Sequence, residues 1–226
     1  MKIIAVMNQK GGIGKTMTAA AIAYIMGEEK GKKVLICDAD QQGNISLLYD
    51  RFDPEGQGMS ELLENHQAAG GAYSTTDLIR TTPYGNIDII PANGYLMRTN
   101  MTLLQEEGED QILRFAADLV IVPVKIGGFE IEAAANMDSQ LASFRSVNPD
   151  IRMKVLMTMR QKNQTTLQVE EWLKTQSGHD CFATAIRRSI IAEKSTVAQV
   201  PLPKFSKNCI VTQDYRAATY ELMKEV

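Results

Sequence analysis

The sequence predicts an α/β protein with a doubly wound, mostly parallel sheet and helices on both faces. Short runs rich in Val, Ile and Leu alternate with longer stretches of helical pattern, which is the order of a parallel sheet covered by crossover helices. The runs are apolar almost throughout, as strands buried on both sides should be. The first run, Ile3-Ile4-Ala5-Val6-Met7, leads straight into a glycine-rich turn and then a helix-like stretch.

Taken in order, strands are expected at residues 2–7, 33–37, 87–90, 119–124, 154–159 and 181–186. Helices are expected at about 15–30, 94–117, 130–146, 165–176 and 212–224. Leu167, Trp172 and Leu173 fit a buried stripe at helical spacing, as do Tyr215, Ala218 and Leu222. Gly56, Gly58 and the pair Gly70-Gly71 mark surface loops. No internal repeat or low-complexity segment interrupts the pattern.

Composition is that of an ordinary soluble protein: 226 residues, 44% hydrophobic, 23% charged, with a formal net charge of −3. A chain of this length buries about 70% of its unfolded surface. No Pro/Gly/Ser linker offers a cut, so a single domain over 1–226 is expected. The mild acidity excludes a chain that is basic all over, while leaving room for a local basic patch. No apolar run approaches the roughly 18 residues of a membrane span. The start is too brief for a signal peptide before the glycine loop begins. Cys37, Cys181 and Cys209 are odd in number and carry no metal-ligand spacing, so they read as buried thiols in a reducing cytosol.

The turn Asn8-Gln9-Lys10-Gly11-Gly12-Ile13-Gly14-Lys15-Thr16 has the chemistry of a polyphosphate cradle. Glycines allow backbone N–H groups to face phosphate oxygens, and the helix start adds its positive dipole end. Lys15 would reach the β- and γ-phosphates, and the Thr16 hydroxyl would hold Mg²⁺. Nucleotide contacts are therefore expected from Lys10, Gly11, Gly12, Ile13, Gly14, Lys15, Thr16 and Met17. The strict phosphate-loop pattern wants a glycine where this chain has Gln9. A dinucleotide fingerprint fits poorly, because Met17 stands where a third glycine is needed.

These residues, together with others further along, resemble the ParA/MinD group of deviant-Walker partition and positioning ATPases. The loop carries the extra Lys10, and Asp38-Ala39-Asp40-Gln41-Gln42-Gly43-Asn44 follows the second strand where partition ATPases carry Asp-x-Asp-Pro-Gln-Gly-Asn. Leu119-Val-Ile-Val-Pro-Val124 resembles their late strand. Thr184, Arg187-Arg188, Pro201, Ser206 and Asp214-Tyr215 resemble their C-terminal third. The resemblance implies the phosphate-loop NTPase fold, with ATP and Mg²⁺ as ligands, and a slow ATPase that switches between monomer and ATP-sandwich dimer. Lys10 would then reach the nucleotide of the other subunit and stabilise the charge that phosphoryl transfer gathers on the γ-phosphate. Lys10, Lys15 and Asp40 are the implied catalytic groups. Asp40 would position the attacking water and Asp38 would serve the magnesium's outer shell. Two carboxylates one residue apart would equally serve to cap the helix beginning near Ile45.

One expected piece is missing. Family members place a central strand ending in Asp between Gly108 and Val124. This chain instead runs from a helix-like stretch through Ala116-Ala117-Asp118 into the next strand. Either the sequence as it stands omits a segment here, or the protein genuinely lacks the strand. Each unpaired backbone group that such a loss leaves in a dry interior costs on the order of 1–3 kcal/mol. Several would exceed a domain's whole stability of roughly 5–15 kcal/mol. The first alternative is therefore favoured, and an intact mass of 25.0 kDa would overturn it.

The resemblance also implies partners: nonspecific DNA for the ATP-bound dimer and a centromere-binding, ParB-like protein. Arg160, Lys162, Arg187 and Arg188 are the first candidates for DNA contact, with Lys194, Lys204 and Lys207 beyond them. The acidic-leaning C-terminus is not the basic amphipathic helix of a membrane-positioning protein. A cytoplasmic, nucleoid-associated location is expected, with no membrane partner. Two other classes stay open: a nucleotide-regulated adaptor that does not bind DNA, and a small-molecule synthetase on the same fold.

Overall fold

The computed structural model describes residues 1–67, 74–105, 117–126, 142, 145 and 148–225. The glycine pair 70–71, the helix expected at 130–146 and the stretch 106–116 fall wholly or mostly outside the described residues. The elements are β1 (Ile4–Val6), α1 (Lys15–Tyr24, prolonged by a π-helical turn Ile25–Glu29), β2 (Val34–Cys37), α2 (Asn44–Leu48), α3 (Met59–Gln67) and α4 (Thr75–Leu78). There follow β3 (Arg80–Thr81), β4 (Ile87–Ile90), α5 (Leu96–Gln105), β5 (Leu119–Lys125), β6 (Arg152–Thr158), α6 (Gln164–Thr175), α7 (Ile190–Val197), α8 (Leu202–Phe205) and α9 (Ile210–Leu222). The α/β class with mostly parallel strands is as predicted.

Contacts divide the chain into two units, with α1 changing unit after Thr18. The first comprises Met1–Thr18, Gln111–Glu193 and Asn208–Val226. Its sheet has the order β1-β5-β6, all parallel, with Ile4 opposite Leu119 and Leu119 opposite Arg152. β5 is buried along six of its seven residues, as a strand covered on both faces must be. Val120, Val122, Val124 and Val155 form its core with Ala5 and Met153 packed against them.

The second unit comprises Ala19–Asp110 and Lys194–Lys207. Its sheet has the order β2-β4-β3, with β2 parallel and β3 antiparallel to β4. Ala20, Ala23, Ile36, Tyr49, Ile87 and Ile89 make one core cluster, and Met59, Leu63, Leu78, Ile90 and Leu96 a second. The π-helical turn brings Gly27 against β4 so tightly that an added Cβ would lie 2.4 Å from Ile87 Cγ1.

Among the described residues β1 pairs only with β5, and β2 only with β4. β2 is correspondingly half open, with Leu35 at 43% exposure and Cys37 exposed. The expectation of three buried thiols is therefore corrected, since Cys181 and Cys209 are only half-buried.

Three further expectations need correction. Residues 181–186 do not form a strand. They run beside β6 with isolated bridges at Cys181 and Arg187, because the Ala183 and Thr184 N–H groups donate to the Glu221 carboxylate at 2.8 and 3.0 Å. Leu167 is 51% exposed, so the buried face of α6 falls on Thr166 and Leu173 instead. Gly58 is buried rather than on a surface loop, and an added Cβ there would sit 2.1 Å from the Pro91 carbonyl oxygen. The stripe of Tyr215, Ala218 and Leu222 is buried on α9 as expected.

Candidate functional site

The glycine turn joins β1 to α1 in the first unit, at the C-terminal ends of parallel strands, where ligands bind in open α/β sheets. Gly12 and Gly14 have φ of +69° and +92°, which only glycine adopts without strain. An added Cβ at Gly11 or Gly12 would meet nothing within 4 Å. Packing within the described residues therefore does not explain Gly11, whereas positive φ accounts for Gly12 and Gly14, and the space beside Gly11 and Gly12 leaves room for an outside group. The first hydrogen bond of α1 runs from the Thr18 N–H to the Gly14 carbonyl at 2.9 Å. The N–H groups of Lys15, Thr16 and Met17 lie ahead of it, at the positive end of the helix dipole. The Lys15 ammonium crosses the turn and donates to the Lys10 carbonyl at 2.8 Å, and Lys10 itself is exposed. This combination suits a polyphosphate: three leading N–H groups, two cations and the Thr16 hydroxyl beside them.

Three side chains that the sequence reading left without a role shape this turn. Asn8 Oδ1 accepts from the Lys10 N–H at 3.0 Å, while its Nδ2 donates to the Pro123 carbonyl of β5 at 2.9 Å. Thr158 Oγ1, at the end of β6, donates to the Ile13 carbonyl at 2.8 Å. Tyr215 on α9 shares a 3.3 Å hydroxyl contact with Thr18. Burial pushes the Tyr215 phenol up to about 12, so it serves as a neutral hydroxyl. A polar residue ending an apolar strand on the ligand-binding edge was the available signal for Thr158.

Asp38 and Asp40 lie in the second unit, after β2. Asp38 is buried, and its Oδ2 accepts from the Ser46 N–H at 2.9 Å and the Ser46 hydroxyl at 2.6 Å. It thus caps α2, the alternative that the sequence left open. Burial raises its carboxyl above the usual range, and the Ser46 hydrogen bonds offset part of that rise. Asp40 is exposed, and its Oδ1 accepts from the Gln42 N–H at 3.0 Å. Gly43, at φ +59°, closes the turn into α2.

The candidate DNA residues differ among themselves. Arg187 makes a forked ion pair with the buried Asp214 carboxylate, which also accepts the Arg187 N–H at 3.0 Å. Arg160 donates to Glu170 at 2.5 Å. Arg188 is exposed and stands 3.9 Å from Glu193, and Lys162 is exposed. Two of the four cations are therefore held internally. Among the described residues no cluster of three His, Cys, Asp or Glu side chains could hold a metal by itself.

The model of the AAA_31 family, described as an AAA domain, matches residues 1–116. The chain belongs to that family. Within it the chain is of the ParA/MinD type, the P-loop partition ATPases. The chromosome-partitioning ATPase Soj of Thermus thermophilus is 28% identical over 246 residues, covering 99% of this chain and 96% of its own length. The chromosome partitioning protein ParA of Caulobacter vibrioides is 24% identical over 260 residues, covering 99% and 94%. Both alignments are longer than the 226 residues of this ParA/MinD-type chain, so each relative carries residues that this chain lacks. Cobyrinic acid a,c-diamide synthase from Mycobacterium smegmatis, with bound ATP analog and magnesium, shares the fold at a TM-score of 0.78 and 21% identity, over 100% of this chain and 95% of its own.

Proposed function

We propose that this chain is a cytoplasmic ParA-type partition ATPase whose turn at residues 10–16 holds magnesium-bound ATP, and whose nucleotide state decides its partners. The observation that carries the reading is the turn itself, with its open glycines, leading N–H groups and crossing lysine. Lys15 and the leading N–H groups hold the phosphates, the Thr16 hydroxyl serves the metal, and Asp38 serves its outer shell from a cap that fixes the carboxylate in place. When bound, magnesium neutralises charge on the β- and γ-phosphate oxygens. The exposed Asp40, one oxygen fastened by Gln42, orients the water that attacks the γ-phosphate. Slow hydrolysis then times a switch.

Lys10, exposed at the rim, supplies its charge to the nucleotide of a second copy, which makes a homodimer depend on ATP. The dimer binds DNA without sequence preference, and Lys162 and Arg188 carry that contact better than the internally paired Arg160 and Arg187. A centromere-binding, ParB-like protein is the expected partner. Membrane association is not part of the proposal, and among the described residues no helix is long and apolar enough to cross a membrane. The partitioning names of the Thermus and Caulobacter relatives support this reading.

A second reading, a nucleotide-regulated adaptor that hydrolyses little, draws support from β1 and β2 each being paired on one side only among the described residues. Calorimetry with MgATP, followed by retention on duplex DNA with ATP or ADP, separates the possibilities. Saturable heat and ATP-dependent retention that falls steeply with salt are expected. No heat of MgATP uptake overturns both readings, and equal weak retention in the two nucleotide states rejects the DNA switch.

A further inference from the structure

Thr158 closes β6 at 2% exposure, on the same edge of the first unit's sheet as the glycine turn. Its hydroxyl donates to the Ile13 carbonyl at 2.8 Å, and its methyl lies 4.0 Å from where a Cβ on Gly14 would stand. Ile13 sits between Gly12 and Gly14, both at positive φ, so little in the local backbone resists rotation of the peptide joining residues 13 and 14. That peptide is planar and trans, so its C=O and the following N–H point in opposite directions. Holding the Ile13 carbonyl toward β6 therefore turns the Gly14 N–H away from β6. A flipped peptide would offer an anion a repelling carbonyl oxygen in place of a donor.

We infer that Thr158 is a positioning residue for the phosphate turn: its hydroxyl fixes the 13–14 peptide in the orientation that presents the Gly14 N–H to a polyphosphate. The inference rests on the nucleotide reading proposed above. It makes a residue 144 positions beyond Gly14 part of the binding apparatus without contact to the ligand.

MgADP titrated calorimetrically into the full chain tests it. Thr158→Val keeps the shape and removes the hydroxyl, and should weaken MgADP by about tenfold or more. Thr158→Ser restores the hydroxyl and should bind within about threefold of the unmodified chain. Thr99→Val is the matched control: it removes another buried hydroxyl, bonded to the Glu64 carboxylate at 2.7 Å in the second unit, and should leave affinity unchanged. Unaltered affinity in Thr158→Val, or equal weakening in Thr99→Val, overturns the positioning role while the nucleotide reading stands. Absence of uptake by the unmodified chain overturns the nucleotide reading, and this role with it. Should Thr158→Val not fold, the Gly14 amide resonance of the unmodified chain decides. A shift on MgADP addition among the largest in the protein supports the role, and an unmoved resonance sinks it.

Discussion

The glycine turn after β1 and the aspartate turn after β2 each leave a parallel strand and lead into a helix, yet they are held in shape by different kinds of contact. The aspartate turn is local: Asp38 is fastened by Ser46 and Asp40 by Gln42, within eight residues. The glycine turn is held from afar, by Asn8 bridging to Pro123, Thr158 gripping Ile13 and Tyr215 touching Thr18. A turn closed by its neighbours needs only its own sequence. The glycine turn also makes local bonds, from Lys15 to the Lys10 carbonyl and from the Lys10 N–H to Asn8, but its Asn8 amide and Ile13 carbonyl are tied to β5 and β6 as well.

The comparison breaks most visibly at Lys15. Lys15→Ala removes a cation from the open turn and should reduce MgATP affinity by about a hundredfold or more, while the thermal midpoint stays near that of the unmodified chain. Calorimetry beside thermal denaturation checks it, and a large fall in the midpoint would mean that the lysine holds the fold instead. Ser46→Ala should do the reverse. Its hydroxyl donates to Asp38 and accepts from the Ala92 N–H at 3.0 Å, both in the interior. Losing it should cost about 2–4 kcal/mol of stability in urea unfolding, while MgATP affinity falls far less than in Lys15→Ala, because the Ser46 N–H still holds the Asp38 carboxylate.

The smallest effect sharpens the contrast at Glu170, which has one near partner and one farther along the chain, Lys174 at 2.9 Å and Arg160 at 2.5 Å. Burial pushes its carboxyl upward, but the hydrogen bonds from Lys174 and Arg160 outweigh it and hold the group below the usual glutamate range. The folded state therefore favours the ionised form. That stability is present above the ordinary glutamate range and disappears as pH falls through the lowered value. Glu170→Gln should cost about 1 kcal/mol at neutral pH, and the difference should close in acid. Urea midpoints across pH measure it, and a gap that persists in acid would assign the loss to packing.

Much of the fold was legible because buried parallel strands have a composition of their own. Val120 to Val124 could hardly be anything else. The reading failed where a side chain from elsewhere captured the backbone, as Glu221 does at Ala183 and Thr184. It failed again where helical phase alone could not say which of Leu167 and Thr166 faces inward. At the candidate site, the glycine turn was legible as a turn between an apolar strand and a helix, and the structure places it between β1 and α1. Thr158, Asn8 and Tyr215 were not assigned a role in it, since a polar strand end was the available signal for Thr158 alone, and nothing beside a residue in the chain shows which distant backbone group its hydroxyl or amide will reach. The pairing of Arg187 with Asp214 across 27 residues was equally invisible, and it separates two held arginines from two exposed cations.

By itself the sequence determined the α/β class, the position of the glycine turn between its first strand and first helix, and the membership that its motifs announced. These depend on local spacing and hydrophobic composition, which a linear chain displays in full. The tertiary structure alone decided which carboxylate is a cap, which arginines are already engaged and which distant hydroxyl orients the peptide of the glycine turn. Those are outcomes of burial and of hydrogen bonds between residues far apart along the chain, and they exist only once folding has removed the competing water.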